Sequence, residues 1–264
     1  MTPSDSSLAE LDREIRQRIN QAEKRLDEMN DLCKAYQSKL ENLVVPSSEN
    51  GRTYYKIPNM PSPSEEIKLL ASETLHHLWA ALDNLIVGLA AKSANRVLTN
   101  AEEKQISFPI VSAKSDFDSF QEKRLRFLNY EFVDLLYRLQ PIDLDPNDDE
   151  DLNYWVKRAL RDCALYSNYD KHRRLHILGP AISGTMSAAT PGVSNPRIVI
   201  GGVRTDDNFA WHETVPGQGE VSFRFVVYLS SPPDDKVIGL SQTLVQVYYA
   251  IQSRVIPMFL SAWN

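Results

Sequence analysis

The sequence predicts an α+β protein: a mostly helical bundle with a long N-terminal helix, and a small antiparallel sheet of three to four strands before a C-terminal helix. Three observations predict it. Residues 8–43 carry apolar or small side chains three and four positions apart, with no Gly or Pro between Leu8 and Val45, which is the spacing of one continuous helix. Helical patterns continue through residues 63–172. After Gly179-Pro180 the period changes to two, with Val221, Phe223, Phe225, Val227 and Leu229 alternating against Ser222, Arg224, Val226 and Tyr228.

Composition sets the class. A chain of 264 residues with 42% hydrophobic and 24% charged residues can bury one large core, or a core and an appendage. The net charge of -6 argues against a globally basic binder of nucleic acid or membrane surface, though not against a local basic patch. Cys33 and Cys163 stand alone in separate helical patterns, so a reducing compartment is expected. The stretch MTPSDSSLAELDRE has no basic region and no apolar run, and no stretch approaches membrane-spanning length. A cytoplasmic protein without a membrane partner is expected.

The long helix carries a seam of Leu8, Leu11, Ile15, Ile19, Ala22, Leu26, Met29, Cys33, Tyr36, Leu40 and Leu43, separated by steps of three and four. At 1.5 Å per residue it would be about 50 Å long. Its other faces are charged, so only a narrow stripe needs cover. Two readings are open: packing along the chain's own helices, or a coiled coil that makes a homo-oligomer through residues 8–43. The chain divides into this arm, residues 1–46, and an α+β body, residues 47–264.

Pro46, Pro58, Pro61 and Pro63 end the arm, with Ser47, Ser48, Asn50 and Gly51 as turn formers and Thr53–Ile57 as a short extended piece. A core helix then starts with Ser62 as N-cap and Pro63 at its first position, and carries a broad stripe from Ile67 to Leu89. Ile106–Ile110 is extended because Pro109 restricts its neighbour. Ser115 caps a helix with Phe117 and Phe120, and a further helix carrying Phe132, Val133, Leu135, Leu136 and Leu139 stops at Pro141. Asp143–Asp151 holds six acidic residues without the order of a calcium loop and reads as a solvated segment. A helix from about Asp151 ends near Asn168–His172. Strands are expected at Leu175–Leu178, Arg197–Arg204, Asn208–Val215 and Glu220–Leu229, with a hairpin turn at Val215–Gly219 that makes them a meander. The last helix spans about Val237–Ala262, kinked or shortened by Pro257.

The densest polar cluster is Asn168-Tyr169-Asp170-Lys171-His172-Arg173-Arg174, followed by His176. Four short motifs occur in order: Leu75-His76-His77-Leu78-Trp79-Ala80-Ala81-Leu82-Asp83-Asn84-Leu85, Phe108-Pro109-Ile110, Leu139-Gln140-Pro141, and Leu165–Arg173. Together they resemble a widespread group of uncharacterised bacterial proteins with the pattern Leu-Arg-x-Ala-Leu-Asp-His-Leu, Phe-Pro-Ile, Leu-Gln-Pro, Asn-x-Asp-Lys-His-Arg. That resemblance covers roughly residues 57–178 and implies no activity. A fainter likeness is to HEPN domains, helical bundles that include many RNases of bacterial defence and toxin systems. Their mark is Arg, four to six residues, then His. Here the corresponding positions are Trp79 and Asn84, which puts that chemistry in doubt.

The cluster supports three chemistries. His172 and His176 have the four-residue spacing of a helical metal pair, but Lys171, Arg173 and Arg174 repel a cation, so no metal and no cofactor are expected. Lys171, His172, Arg173 and Arg174 suit an anion such as phosphate or an RNA backbone, making Asn168, Asp170, Lys171, His172, Arg173, Arg174 and His176 the candidate ligand residues. Alternatively Asp170, His172 and Arg173 tie a helix end to the core helix in a structural polar network with Asp83 and Asn84. The last arrangement requires Asp83 to meet the cluster. Candidate catalytic residues are His172, Arg173 and His77, though His77 is equally a core-edge histidine. Two functional expectations follow. One is a non-enzymatic cytosolic interaction or regulatory protein, with bacterial stress or phage defence as its setting. The alternative is an HEPN-like RNA-directed nuclease, or an RNA- or phosphate-binding protein, using Asp170-Lys171-His172-Arg173.

Overall fold

The structure, a computed structural model, describes residues 5–49, 52–56, 61–142, 144, 153–173, 177–187, 198–200, 208–213, 220–231 and 236–263. The chain forms two compact units. The first is built from Met1–Asp27, Leu70–Leu175 and Gln242–Asn264, and the second from Glu28–Leu69 and His176–Ser241.

Helix α1 spans Asp5–Glu41 and helix α2 spans Glu65–Ala94. The described seam of α1 from Leu11 to Leu40 is buried: Leu11, Ile15, Ile19, Ala22 and Leu26 in the first unit, and Met29, Cys33, Tyr36 and Leu40 in the second. One chain therefore fills the stripe by itself. In the second unit the buried Tyr36 hydroxyl donates to the Pro61 carbonyl at 2.6 Å, and burial pushes its pKa up to about 12. Helix α2 starts two residues later than Pro63. It ends where Asn95 takes a left-handed φ of 53°, which lets Arg96 N–H return to the Ala91 carbonyl at 3.2 Å.

The first unit continues with α3 (Asn100–Glu103), α4 (Lys114–Arg124), α5 (Tyr130–Arg138) and α6 (Tyr154–Arg173). The short α3 has no counterpart in the sequence reading. It is held by a capping box between Thr99 and Glu102, and Arg96 clamps the same carboxylate at 2.6 and 2.8 Å. These bonds hold Glu102 down at a pKa of about 2. The N-cap of α4 is Ala113, not Ser115, and it makes no side-chain cap. Asn129 caps α5 by accepting from Phe132 N–H at 3.0 Å. After the strands come α7 (Leu240–Ala250), a π-helical turn at Ile251–Val255, and α8 (Ile256–Ala262). Pro257 accounts for the π turn: it has no N–H for the carbonyl four residues back, and its ring crowds that carbonyl. The core of this unit includes Leu78, Leu82, Leu85, Phe108, Phe132, Leu160, Leu244, Ile251 and Phe259, with the rings of Phe108 and Phe259 packed edge to face.

The expected α+β body with one small sheet is corrected. Among its described residues the first unit is helical and contains no strand or sheet. All strand segments fall in the second unit, as two sheets. Strands β1 (Val45–Glu49), β2 (Arg52–Lys56), β4 (Ile198–Ile200) and β5 (Asn208–Glu213) form one antiparallel sheet in the order β1-β2-β5-β4. Strands β3 (Ile177–Ser187), β6 (Glu220–Ser231) and β7 (Lys236–Gly239) form the other, ordered β3-β6-β7. So β5 and β6 do not pair, and the expected turn at Val215–Gly219 lies outside the described residues. Two-residue alternation marks a strand but does not choose its neighbour. The prolines follow backbone logic: Pro46 and Pro180 sit in the edge strands β1 and β3, where a missing donor is tolerated, and the β3–β6 register shifts between Leu178 and Pro180. Among the described residues no helix is long and apolar enough to cross a membrane.

Candidate functional site

Two constructions in the first unit join residues far apart in sequence. The first is a clasp on the extended piece between α3 and α4. Asp83 of α2 accepts the Phe108 N–H at 2.9 Å. The buried Gln140, just after α5, accepts Val111 N–H at 2.9 Å and donates to the carbonyls of Pro109 at 3.1 Å and Leu136 at 2.8 Å. An extended segment has no ladder of its own, so its backbone groups need partners from elsewhere. Asp83 and Gln140 supply them. Three of the four sequence motifs therefore meet physically, and their joint role here is to hold the Phe108-Pro109-Ile110 backbone.

The second is a groove between α1 and α2. The two helices run antiparallel, with Leu11 against Gly88 and Arg25 Nε 2.8 Å from the Glu73 carboxylate. At Gly88 a methyl group would lie 2.8 Å from Leu11 Cδ1 and 3.0 Å from Cγ, so glycine allows the close approach. Between these two fixed points a cavity of about 340 Å³ is lined by Glu14, Gln17, Arg18 and Gln21 from α1 and by Asn84 from α2. The α1 residues follow steps of three, one and three, so they form one stripe over two turns. They are exposed, whereas Asn84 is half-buried. The lining offers one carboxylate, one guanidinium and three carboxamides, a set that both donates and accepts hydrogen bonds.

His77 lies one to two turns from Asn84 on α2. Burial pushes its pKa down, helped by His76, Arg18 and Arg25 and opposed by Glu73. Its buried Nδ1 has no hydrogen-bond partner among the described residues. Two guanidinium groups thus oppose a positive charge on this imidazole.

The sequence-predicted site residues divide as follows. Asn84 lines the groove and Asp83 belongs to the clasp. His77 flanks the groove, and Trp79 is half-buried on α2. Asn168 is exposed on α6. Asp170, Lys171, His172 and Arg173 continue the α6 backbone, but their side chains lie outside the described residues, as do Arg174 and His176 altogether. The proposed meeting of Asp83 with that cluster therefore falls outside the described residues too. So does the acidic run at 143–151, apart from Leu144. Among the described residues no three His, Cys, Asp or Glu side chains come together as a metal site.

Sequence reasoning missed Gln140, Glu14, Gln17, Arg18 and Gln21. The α1 positions sit on a face whose charge reads as solvation, and only the antiparallel neighbour turns it into a wall. No family model, curated protein or solved structure matches the chain.

Proposed function

We propose that this chain is a non-enzymatic interaction protein of the cytoplasm, which recognises a polar ligand or partner group in the α1–α2 groove. The observation that carries this reading is the groove itself: five polar side chains of mixed donor and acceptor character around about 340 Å³, at the lower end of the usual size of small-ligand sites. Its walls are fixed on both sides, by Leu11 against Gly88 and by the Arg25–Glu73 pair. Such bracing lowers the ordering cost of binding. A setting in bacterial stress or phage defence rests on the sequence resemblance alone. A homo-oligomer would have to use other faces of residues 8–43, because the seam from Leu11 to Leu40 is already buried.

The test is a titration of isotope-labelled full-length protein with a panel of amino acids, peptides, nucleotides and sugars, reading the side-chain amide signals of Gln17, Gln21 and Asn84. Saturable shifts in these signals, abolished by Arg18→Glu, are expected for at least one compound class. An absence of shifts across the panel would overturn the reading. RNA cleavage by the wild type, lost in His172→Ala, would favour the RNA-directed alternative instead.

A further inference from the structure

We propose that the α1–α2 groove takes a small zwitterionic peptide of dipeptide size, its carboxylate on Arg18, its ammonium on Glu14, and its peptide group among Gln17, Gln21 and Asn84. The proposal rests on the groove being a recognition site and names the ligand class.

Three features of the lining carry it. First, the groove holds one cationic and one anionic side chain, Arg18 and Glu14. A ligand with only an anion would meet the repulsion of Glu14, and one with only a cation that of Arg18. Its described lining side chains are all polar, which disfavours a hydrophobic ligand. A ligand that carries both charges satisfies both walls.

Second, neither charge has a carboxylate or cation paired with it among the described residues. On the same helix Arg16 pairs with Asp12 at 2.6 Å and Arg13 with Glu10 at 3.2 Å. Glu14 and Arg18 have the same spacing and order as Asp12 and Arg16. Yet neither makes an ion pair or hydrogen bond among the described residues. Arg25, one turn beyond Gln21, is instead held by Glu73 at 2.8 Å. Among the described residues the groove thus keeps one guanidinium and one carboxylate out of ion pairs where its neighbours are paired.

Third, the reach is compatible. The Glu14 and Arg18 backbones stand about 6 Å apart along the helix, and an extended dipeptide spans about 7 Å. The three carboxamides each offer N–H donors and a carbonyl acceptor, the complement of a peptide bond.

The experiment uses full-length protein and three probes of nearly one shape. Glycylglycine carries both charges, N-acetylglycine lacks the ammonium, and glycylglycinamide lacks the carboxylate. Binding is read by calorimetry and by the side-chain amide signals of Gln17, Gln21 and Asn84. Glycylglycine should bind at least about tenfold more tightly than either analogue, since each lost charged hydrogen bond is worth about that factor. Arg18→Gln and Glu14→Gln should each remove this preference. Both positions are exposed, so an unchanged melting temperature verifies the fold of each variant. N-acetylglycine binding as tightly as glycylglycine, with Glu14→Gln silent, would overturn the zwitterion and leave a plain anion groove. No response to any of the three probes would also overturn it, whereas the wider reading falls only if the whole compound panel is silent.

Discussion

Asp162 on α6 is a carboxylate with only 5% of its surface exposed. Arg161 Nε stands 3.7 Å from it, too far for a good hydrogen bond. Burial pushes its pKa up, and the nearby Arg161 and Arg158 offset this in part. The folded state therefore holds this proton more firmly than the unfolded chain does. The contribution of Asp162 to stability is best below the ordinary Asp value of about 3.9, worsens as pH rises through the raised folded value, and stays unfavourable above it. Asp162→Asn should raise the melting temperature at pH 7 relative to wild type, with the difference shrinking toward pH 4. Melting curves at the two pH values check this, and a variant less stable at pH 7 than at pH 4, relative to wild type, would contradict it. Position 162 has no sequence signature, because Asp and Arg alternate freely on solvated helix faces. Its burial comes from what α6 packs against.

At the scale of elements, the clasp and the helix pair give two further expectations. Gln140→Ala strands the Val111 N–H and the Pro109 carbonyl, and unpaired groups of this kind cost about 1–3 kcal/mol each. With partial access of water to Val111, a loss of about 2–4 kcal/mol is expected in denaturant unfolding, and amide exchange should quicken first at Val111. A loss under about 1 kcal/mol would mean that water replaces the clasp. Gly88→Ala sets two effects against each other. Helix propensity favours alanine by about 1 kcal/mol, while overpacking against Leu11 costs about 1–3 kcal/mol. The Leu11 end is a flexible side chain, so the net expectation is a destabilisation of about 0.5–2 kcal/mol. Adding Leu11→Ala should reverse the sign of the Gly88→Ala effect, and a double-mutant cycle measures this. The core pattern of α2 was legible from Ile67 to Leu89. The reason for a glycine within it was not, since Leu11 is 77 residues away in the chain.

For the whole molecule, the α1 seam decides between assembly and integrity. Nine seam side chains from Leu11 to Leu40 are buried in a single chain, and burying one large apolar side chain contributes about 1.5–3 kcal/mol. Their sum is at least comparable to the usual net stability of about 5–15 kcal/mol. Deleting residues 1–44 should therefore abolish cooperative thermal unfolding rather than release a smaller folded particle. Light scattering together with a melting curve tests this: a truncated chain that still melts sharply, at lower mass per particle, would show that the seam joins copies instead.

The sequence by itself determined the helices, because a 3.6-residue apolar period needs only local information. It showed α1 almost whole, the stripe of α2, the disturbance at Pro257 and the β character of Glu220–Leu229. That Asp83 and Gln140 both hold the Phe108-Pro109-Ile110 backbone was not legible in it. The tertiary structure alone decided how these pieces were joined. Strand period does not choose a neighbour, so β5 pairs with β2 and β4, and β6 with β3 and β7. Likewise Arg18 and Asn84 line one groove only because α1 and α2 run antiparallel. A local pattern fixes which face of an element seeks cover, and long-range packing fixes what covers it.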